Sequence, residues 1–145
     1  MKTLNIIILS LLVSTMAMAQ DLNPKDVPQV VKNAFTKENI KATNIEWEKN
    51  RDHYKVEFDV GRMEHEIRYT SSGEVIKKEQ DITEADLPQA IKDVIKSKYA
   101  GYRVDDVVMT WMDNTTTYEV ELEKGKEDWK VIFDATGNIL NTRRD

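Results

Sequence analysis

The residues able to do chemistry in this 145-residue chain are few, and their spacing does not bring them together. Cysteine is absent, which excludes thiolate nucleophiles and thiolate metal sites. The two histidines, His53 and His65, are not spaced as zinc ligands, and no convincing third ligand accompanies them. Ser71 and Ser72 precede Gly73 in a stretch that reads as a turn. The sequence holds neither a Gly-x-Ser-x-Gly elbow nor a phosphate-cradling glycine loop. Carboxylates are plentiful, but none sits in the Asp-x-Asp-x-Asp-Gly pattern that wraps calcium. Glu57, Asp59, Glu119, Glu121 and Glu123 instead alternate with apolar residues, and Lys55, Arg68 and Lys130 lie close enough to neutralise them across strands. This inventory predicts a protein that is not an enzyme and holds neither cofactor nor metal.

The elements that position these residues occur twice. Val27-Pro28-Gln29 recurs as Leu87-Pro88-Gln89, and Ile45-x-Trp47 recurs as Met109-x-Trp111. Tyr54-x-Val56-Glu57-Phe58 recurs as Tyr118-x-Val120-Glu121-Leu122, and Gly73-x-Val75-Ile76 as Gly137-x-Ile139-Leu140. The offset is sixty residues before Ile45 and sixty-four from there on, which places a four-residue insertion around Ala100–Asp105. A duplication at fixed spacing implies a supersecondary unit that cannot bury its apolar face alone.

Each copy opens on a helix signal. Asp26 and Asp86 read as N-caps, with Gln29 and Gln89 three residues on completing a capping box. Apolar residues follow at helical spacing: Val27, Val30, Val31, Ala34 and Phe35, then Leu87, Ala90, Ile91, Val94 and Ile95. Asn39 and Gly101 are candidates for left-handed C-caps. The period then changes to two. Tyr54, Val56, Phe58 and Val60 alternate with charged residues, as do Met63, His65, Ile67 and Tyr69. Two-residue turns at Gly61-Arg62 and Gly125-Lys126 would pair Phe58 with His65 and Leu122 with Trp129. His65 then fills the core side, as do the aromatic residues Trp47, Tyr54, Phe58, Tyr69, Trp111, Tyr118, Trp129 and Phe133. The predicted fold is α+β: a tandem duplication of a helix plus a four-stranded antiparallel meander, with two helices packed on one face of an eight-stranded antiparallel sheet.

Residues 1–19 read as a removable secretory signal. Lys2 provides the basic start, Leu4–Val13 the apolar stretch, and Ala17-Met18-Ala19 the small-residue cleavage site. A mature chain starting at Gln20 then forms one domain over 20–145, with repeat one at about 24–80 and repeat two at about 84–143. Without cysteine it has no lipid attachment point and no disulfide, so the expected address is the periplasm or the exterior. The formal net charge of −5 argues against nucleic acid, and no membrane insertion is expected once the signal is removed.

These motifs resemble the PepSY-like family, also described as β-lactamase-inhibitor-like. The likeness runs from about Asp21 to Thr142 and rests on Leu/Val-Pro-Gln at each helix, x-Trp in the first strand, Tyr-x-Val-Glu in the second and Gly before the fourth. The resemblance implies a secreted or periplasmic protein of a Gram-negative, Bacteroidetes-type bacterium. It also implies a partner bound on the exposed concave sheet face, as in the inhibitors that gave the family its name. This chain lacks the cysteines of those inhibitors and matches none of their contact residues, so β-lactamase inhibition itself is not carried over.

The outer face differs between the copies. Repeat one places Ile76 alone among polar residues there, whereas repeat two places Val108, Met112, Ile132 and Leu140 beside the acidic Glu119 and Glu121. Apolar residues grouped on a wet sheet face point to a protein contact, with an enzyme or a second copy as partner. The alternative is a scavenger or sensor that binds a small ligand or cation on the acidic face.

Overall fold

The computed structural model describes residues 20–144, and Met1–Ala19 lies outside the described residues. The chain runs β1 (Gln20–Asp21), α1 (Gln29–Glu38), β2 (Thr43–Lys49), β3 (Tyr54–Val60), β4 (Met63–Tyr69) and β5 (Val75–Asp81). After a 3-10 turn at Glu84–Asp86 it continues with α2 (Gln89–Lys98), β6 (Arg103–Met112), β7 (Thr115–Lys124), β8 (Glu127–Asp134) and β9 (Ile139–Arg144). All strands pair antiparallel in chain order, so the eight meander strands form one continuous sheet with the two-residue β1 added at its edge. The repeats join where β5 pairs with β6, with Lys77 opposite Met112 and Asp81 opposite Val108.

The hairpin registers follow the sequence pattern. Val60 faces Met63, Phe58 faces His65 and Tyr54 faces Tyr69, while Leu122 faces Trp129 and Tyr118 faces Phe133. Gly61 and Gly125 hold φ at +68° at the turns, a value open to glycine at no steric cost.

The helix starts differ from expectation. Both helices begin after the prolines, with Pro28 and Pro88 as the capping residues and no side-chain cap. A residue before proline is kept out of helical conformation, so Leu87 is extended (φ −60°, ψ 142°) and Asp86 cannot cap the helix beyond it. Asp86 instead accepts from Thr83 N–H (3.1 Å) and Thr83 Oγ1 (2.6 Å) in the preceding turn. Gln29 and Gln89 donate forward to Asn33 and Asp93 rather than back to a cap. Asn39 is not left-handed (φ −121°). It closes α1 by donating from both its backbone N–H and its Nδ2 to Phe35 O. Gly101, at φ +85°, is left-handed as expected.

Each helix lays its apolar stripe on its own half of the sheet. Val31 and Phe35 of α1 pack with Trp47, Val56, Phe58, Ile67 and Tyr69. Phe35 meets Trp47 and Phe58 edge-on, at 5.4 and 5.0 Å between ring centroids. Ile91 and Ile95 of α2 pack with Val107, Val120, Leu122, Val131 and Phe133. Gly73 and Gly137 bring the fourth-strand turns against the helices. A Cβ on Gly137 would lie 2.9 Å from Ala90 O, and one on Gly73 would lie 3.2 Å from Val30 O.

The insertion lies elsewhere than predicted. Val56 faces Trp47, but its counterpart Val120 faces Val107, not Trp111. Trp47 and Val107 hold the same place in their two cores, so the offset of sixty persists through the first strand. The four extra residues extend the β6–β7 hairpin, which closes on Asp113 and Asn114, both at positive φ (52° and 58°). Met109 and Trp111 therefore lie outside both core clusters. The apparent match of Ile45-x-Trp47 with Met109-x-Trp111 is an alternation that two strand segments can share without holding the same place in the fold, and Ile45 is in fact exposed.

Candidate functional site

Because side chains alternate along each strand, the pairing places the charged residues of repeat one on the face opposite the helices. Glu46, Glu57, Glu66 and Glu79 follow one another across β2–β5, beside a second row of Lys55, Arg68 and Lys77. The two rows neutralise each other. Lys55 bonds Glu48 (2.9 Å) and Glu57 (2.7 Å), Arg68 bonds Glu66 (2.6 Å), and Lys77 bonds Glu79 (2.7 Å). Burial raises the pKa of Glu66. Burial also works to raise Glu79, but hydrogen bonds to it and the Lys77 charge carry it below its ordinary value. Toward one end of the strands, burial raises both Glu64 and Asp81; the charges of Asp81, Glu57, Asp59 and Asp106 add to the rise at Glu64, and that of Asp106 to the rise at Asp81. Among the described residues, no group of three or more His, Asp or Glu is arranged to hold a metal ion.

Repeat two presents a different outer surface. Val108 and Ile132 both pair with Glu119, one from each side, so a β-branched aliphatic side chain flanks the carboxylate on either hand. Glu119 accepts from Arg143 at 3.1 Å, and Glu121 lies 3.6 Å from Lys130. Met112, on the same outward phase, lies four residues along β6 from Val108, about 13 Å away at strand rise, opposite Lys77. Leu140 is the extra residue of a bulge, next to Asn141, which faces Ile132. Leu140 and Met112 are exposed, whereas Val108 and Ile132 are half-buried. The register thus gathers Val108, Ile132 and Glu119 into one row, with Glu121, Met112 and Leu140 around it.

The helix face carries a feature that the sequence reading missed. Between the two core clusters, at the β4–β5–β6 seam, lies a cleft of about 160 Å³ lined by Asn39, Phe58, His65, Lys78, Met109 and Trp111, among others. His65 stacks on Phe58 at 5.1 Å and makes no hydrogen bond to any described residue. Burial holds the imidazole below its ordinary pKa, against a smaller upward pull from Asp59. The signal that could have revealed the cleft was the length of the β6–β7 hairpin, which carries Met109 and Trp111 past the reach of α2. His53, by contrast, is bonded to Asp52 at 3.0 Å in the β2–β3 loop. Ser72 bonds Thr70 and Glu74 within its turn.

A helix plus a four-stranded meander, made twice, with both helices on one face of a single sheet, defines a class of small tandem-repeat α+β proteins. The chain belongs to the family described as "Putative beta-lactamase-inhibitor-like, PepSY-like", which matches residues 14–77 and again residues 74–141. Among solved structures, a DUF2874 family protein from Bacteroides uniformis superposes with a TM-score of 0.71 at 19% identity, covering 81% of this chain and 88% of that one. A protein from Bacteroides eggerthii described as "putative periplasmic" gives 0.72 at 19% identity, with coverage of 81% and 88%. A BLIP-like protein from Bacteroides fragilis gives 0.66 at 25% identity, with coverage of 80% and 84%. Comparison with curated proteins gave no match. No helix among the described residues is long and apolar enough to cross a membrane.

Proposed function

We propose that this protein is a non-catalytic envelope module that binds another protein through the outer sheet face of its second repeat, as an inhibitor or regulator of a secreted or periplasmic enzyme. The observation that carries this reading is the row Val108–Glu119–Ile132, an apolar pair around an ion-paired carboxylate on a sheet face that neither α1 nor α2 covers. Such a row has the layout of a small contact: two apolar groups flank one ion-paired carboxylate, with Glu121, Lys130 and Arg143 as a polar rim. Exposed ion pairs are weak, so Arg143 can leave Glu119 for a partner group at little cost. Met112 and Leu140 extend the contact with adaptable apolar side chains.

The family description and the likeness to a BLIP-like protein support a binding role. The leader read at residues 1–19, the absence of cysteine and a structural relative described as periplasmic support placement in the periplasm or beyond it. Residues 20–145 then act as one domain. Catalysis has no support from the geometry, since His53, His65 and the Ser71–Ser72 pair lie in separate surroundings.

The test is a charge placed in the row. Met112→Asp, at an exposed position beside the row, should leave the melting midpoint nearly unchanged, whereas Ile132→Asp, half-buried and opposite Glu119, should lower it modestly while the protein stays folded and weaken partner binding by about 2 kcal/mol or more. Unchanged affinity in both variants, measured calorimetrically with the isolated partner, would remove this face from the function.

A further inference from the structure

The seam cleft lies on the opposite side of the sheet from the proposed protein contact, and its residues do not belong to it. Its apolar lining comes from Phe58 and Ile67 of repeat one and from Met109 and Trp111 of the inserted length of the β6–β7 hairpin, beside Gln80 and Glu79 of β5, the Glu79 carboxylate being bonded to Lys77. Lys78 faces Trp111 and Gln80 faces Met109 across the strand pair that joins the repeats. The polar groups gather around this apolar lining. His65 is held flat against Phe58 with its nitrogens uncommitted to any described residue, and Asn39 closes the end of the cleft beneath α1. Lys78 supplies a cation whose bond to Glu38, at 3.0 Å, joins two exposed side chains and is readily exchanged. A cavity of about 150 Å³ lined by apolar side chains takes up benzene. This cleft, at about 160 Å³, has room for one six-membered aromatic ring.

We propose that the cleft between the repeats binds a small monocyclic aromatic carboxylate, its ring against Trp111, Met109 and Phe58 and its carboxylate between Lys78 and His65. The ring finds aromatic and thioether surface on its faces and edges, contacts that favour π-systems over aliphatic chains of equal size. The carboxylate accepts from the Lys78 ammonium and from the single N–H of a neutral imidazole. The first repeat has no equivalent, because the residues that form the outer wall exist only in the longer second hairpin.

The probe is phenylacetate, followed by chemical-shift titration of the indole, imidazole and methionine methyl signals, with benzyl alcohol and acetate as matched compounds. The expected result is a saturable shift confined to Trp111, His65 and Met109, with phenylacetate binding about tenfold more tightly than benzyl alcohol, the weight of one charge-assisted hydrogen bond. Lys78→Met should reduce phenylacetate to the level of benzyl alcohol. Trp111→Ala should abolish the shifts, and Gln80→Trp, which fills the cleft from β5, should do so with Trp111, Met109, Phe58, His65 and Lys78 all in place. Ile132→Asp, on the other face, should leave phenylacetate binding unchanged, which separates this site from the protein contact. Non-saturating shifts, equal response to acetate, or shifts that survive both Trp111→Ala and Gln80→Trp would overturn the assignment.

Discussion

Tyr69 and Phe133 occupy the same position in the two repeats, and they show how duplication tests individual side chains. Both rings are buried, but Tyr69 carries a hydroxyl that finds no hydrogen-bond partner among the described residues, and burial with Glu38 nearby pushes its pKa up to about 12. A buried polar group without a partner costs about 1–3 kcal/mol. Tyr69→Phe should therefore raise the unfolding free energy by about 1 kcal/mol, measured by denaturant melts; a loss of stability would mean that the hydroxyl has a partner in solution. Asp134 shows the opposite situation. It accepts from Thr136 N–H and Oγ1 and from Asn138 N–H and Nδ2, which hold its carboxyl down to about 2. A carboxylate with a depressed folded pKa stabilises fully above its ordinary value of 3.8, and that contribution is lost as pH falls toward 2. Asp134→Ala should lower the melting midpoint at neutral pH, and the gap from wild type should close as pH approaches 2. A gap independent of pH would contradict the assignment.

At the scale of elements, the strands were more legible than the helix ends. The hairpin registers could be read because Gly61 and Gly125 fix the turns and period-two alternation fixes which side faces the core. The capping boxes at Asp26 and Asp86 were misread because the restriction that Pro28 and Pro88 place on the residue before them outweighs capping preference. The insertion was misplaced for a different reason. Met109-x-Trp111 looks like Ile45-x-Trp47 in any linear comparison, and only the pairing of Val120 with Val107 shows which residue shares the core with Val131. The seam cleft was invisible for the same cause, since it depends on how far one hairpin overruns its twin.

The glycines separate two physical effects at this scale. Gly61→Ala meets open space and bears only the cost of positive φ, about 1 kcal/mol. Gly137→Ala bears that cost and also drives a Cβ to 2.9 Å from Ala90 O, so it should destabilise by at least 1 kcal/mol more. Equal losses from both, in paired denaturant melts, would mean that the α2 contact yields freely.

The whole molecule is one sheet with two unlike faces and two unlike halves. The helix face is sealed by α1 and α2 over separate cores, and a cleft remains where the cores do not meet. The outer face is bare: mutually neutralising charges cover repeat one, and the apolar row crosses repeat two. The outer row was legible as a list of outward residues. Ile132 opposite Glu119 followed from the hairpin turn at Gly125, but the place of Val108 on the other side of Glu119 did not, because it depends on the β6–β7 register that the four extra residues shift.

Cross-linked capture from the source envelope tests the central claim most directly, using three baits that begin at Gln20: wild type, Ile132→Asp on the outer face, and Gln80→Trp on the helix face. The account predicts one specific protein captured by wild type and Gln80→Trp and lost with Ile132→Asp, with all three baits folded at the temperature of capture. Capture that survives Ile132→Asp, or that is lost only with Gln80→Trp, would contradict it and move the protein contact off the outer face of the second repeat.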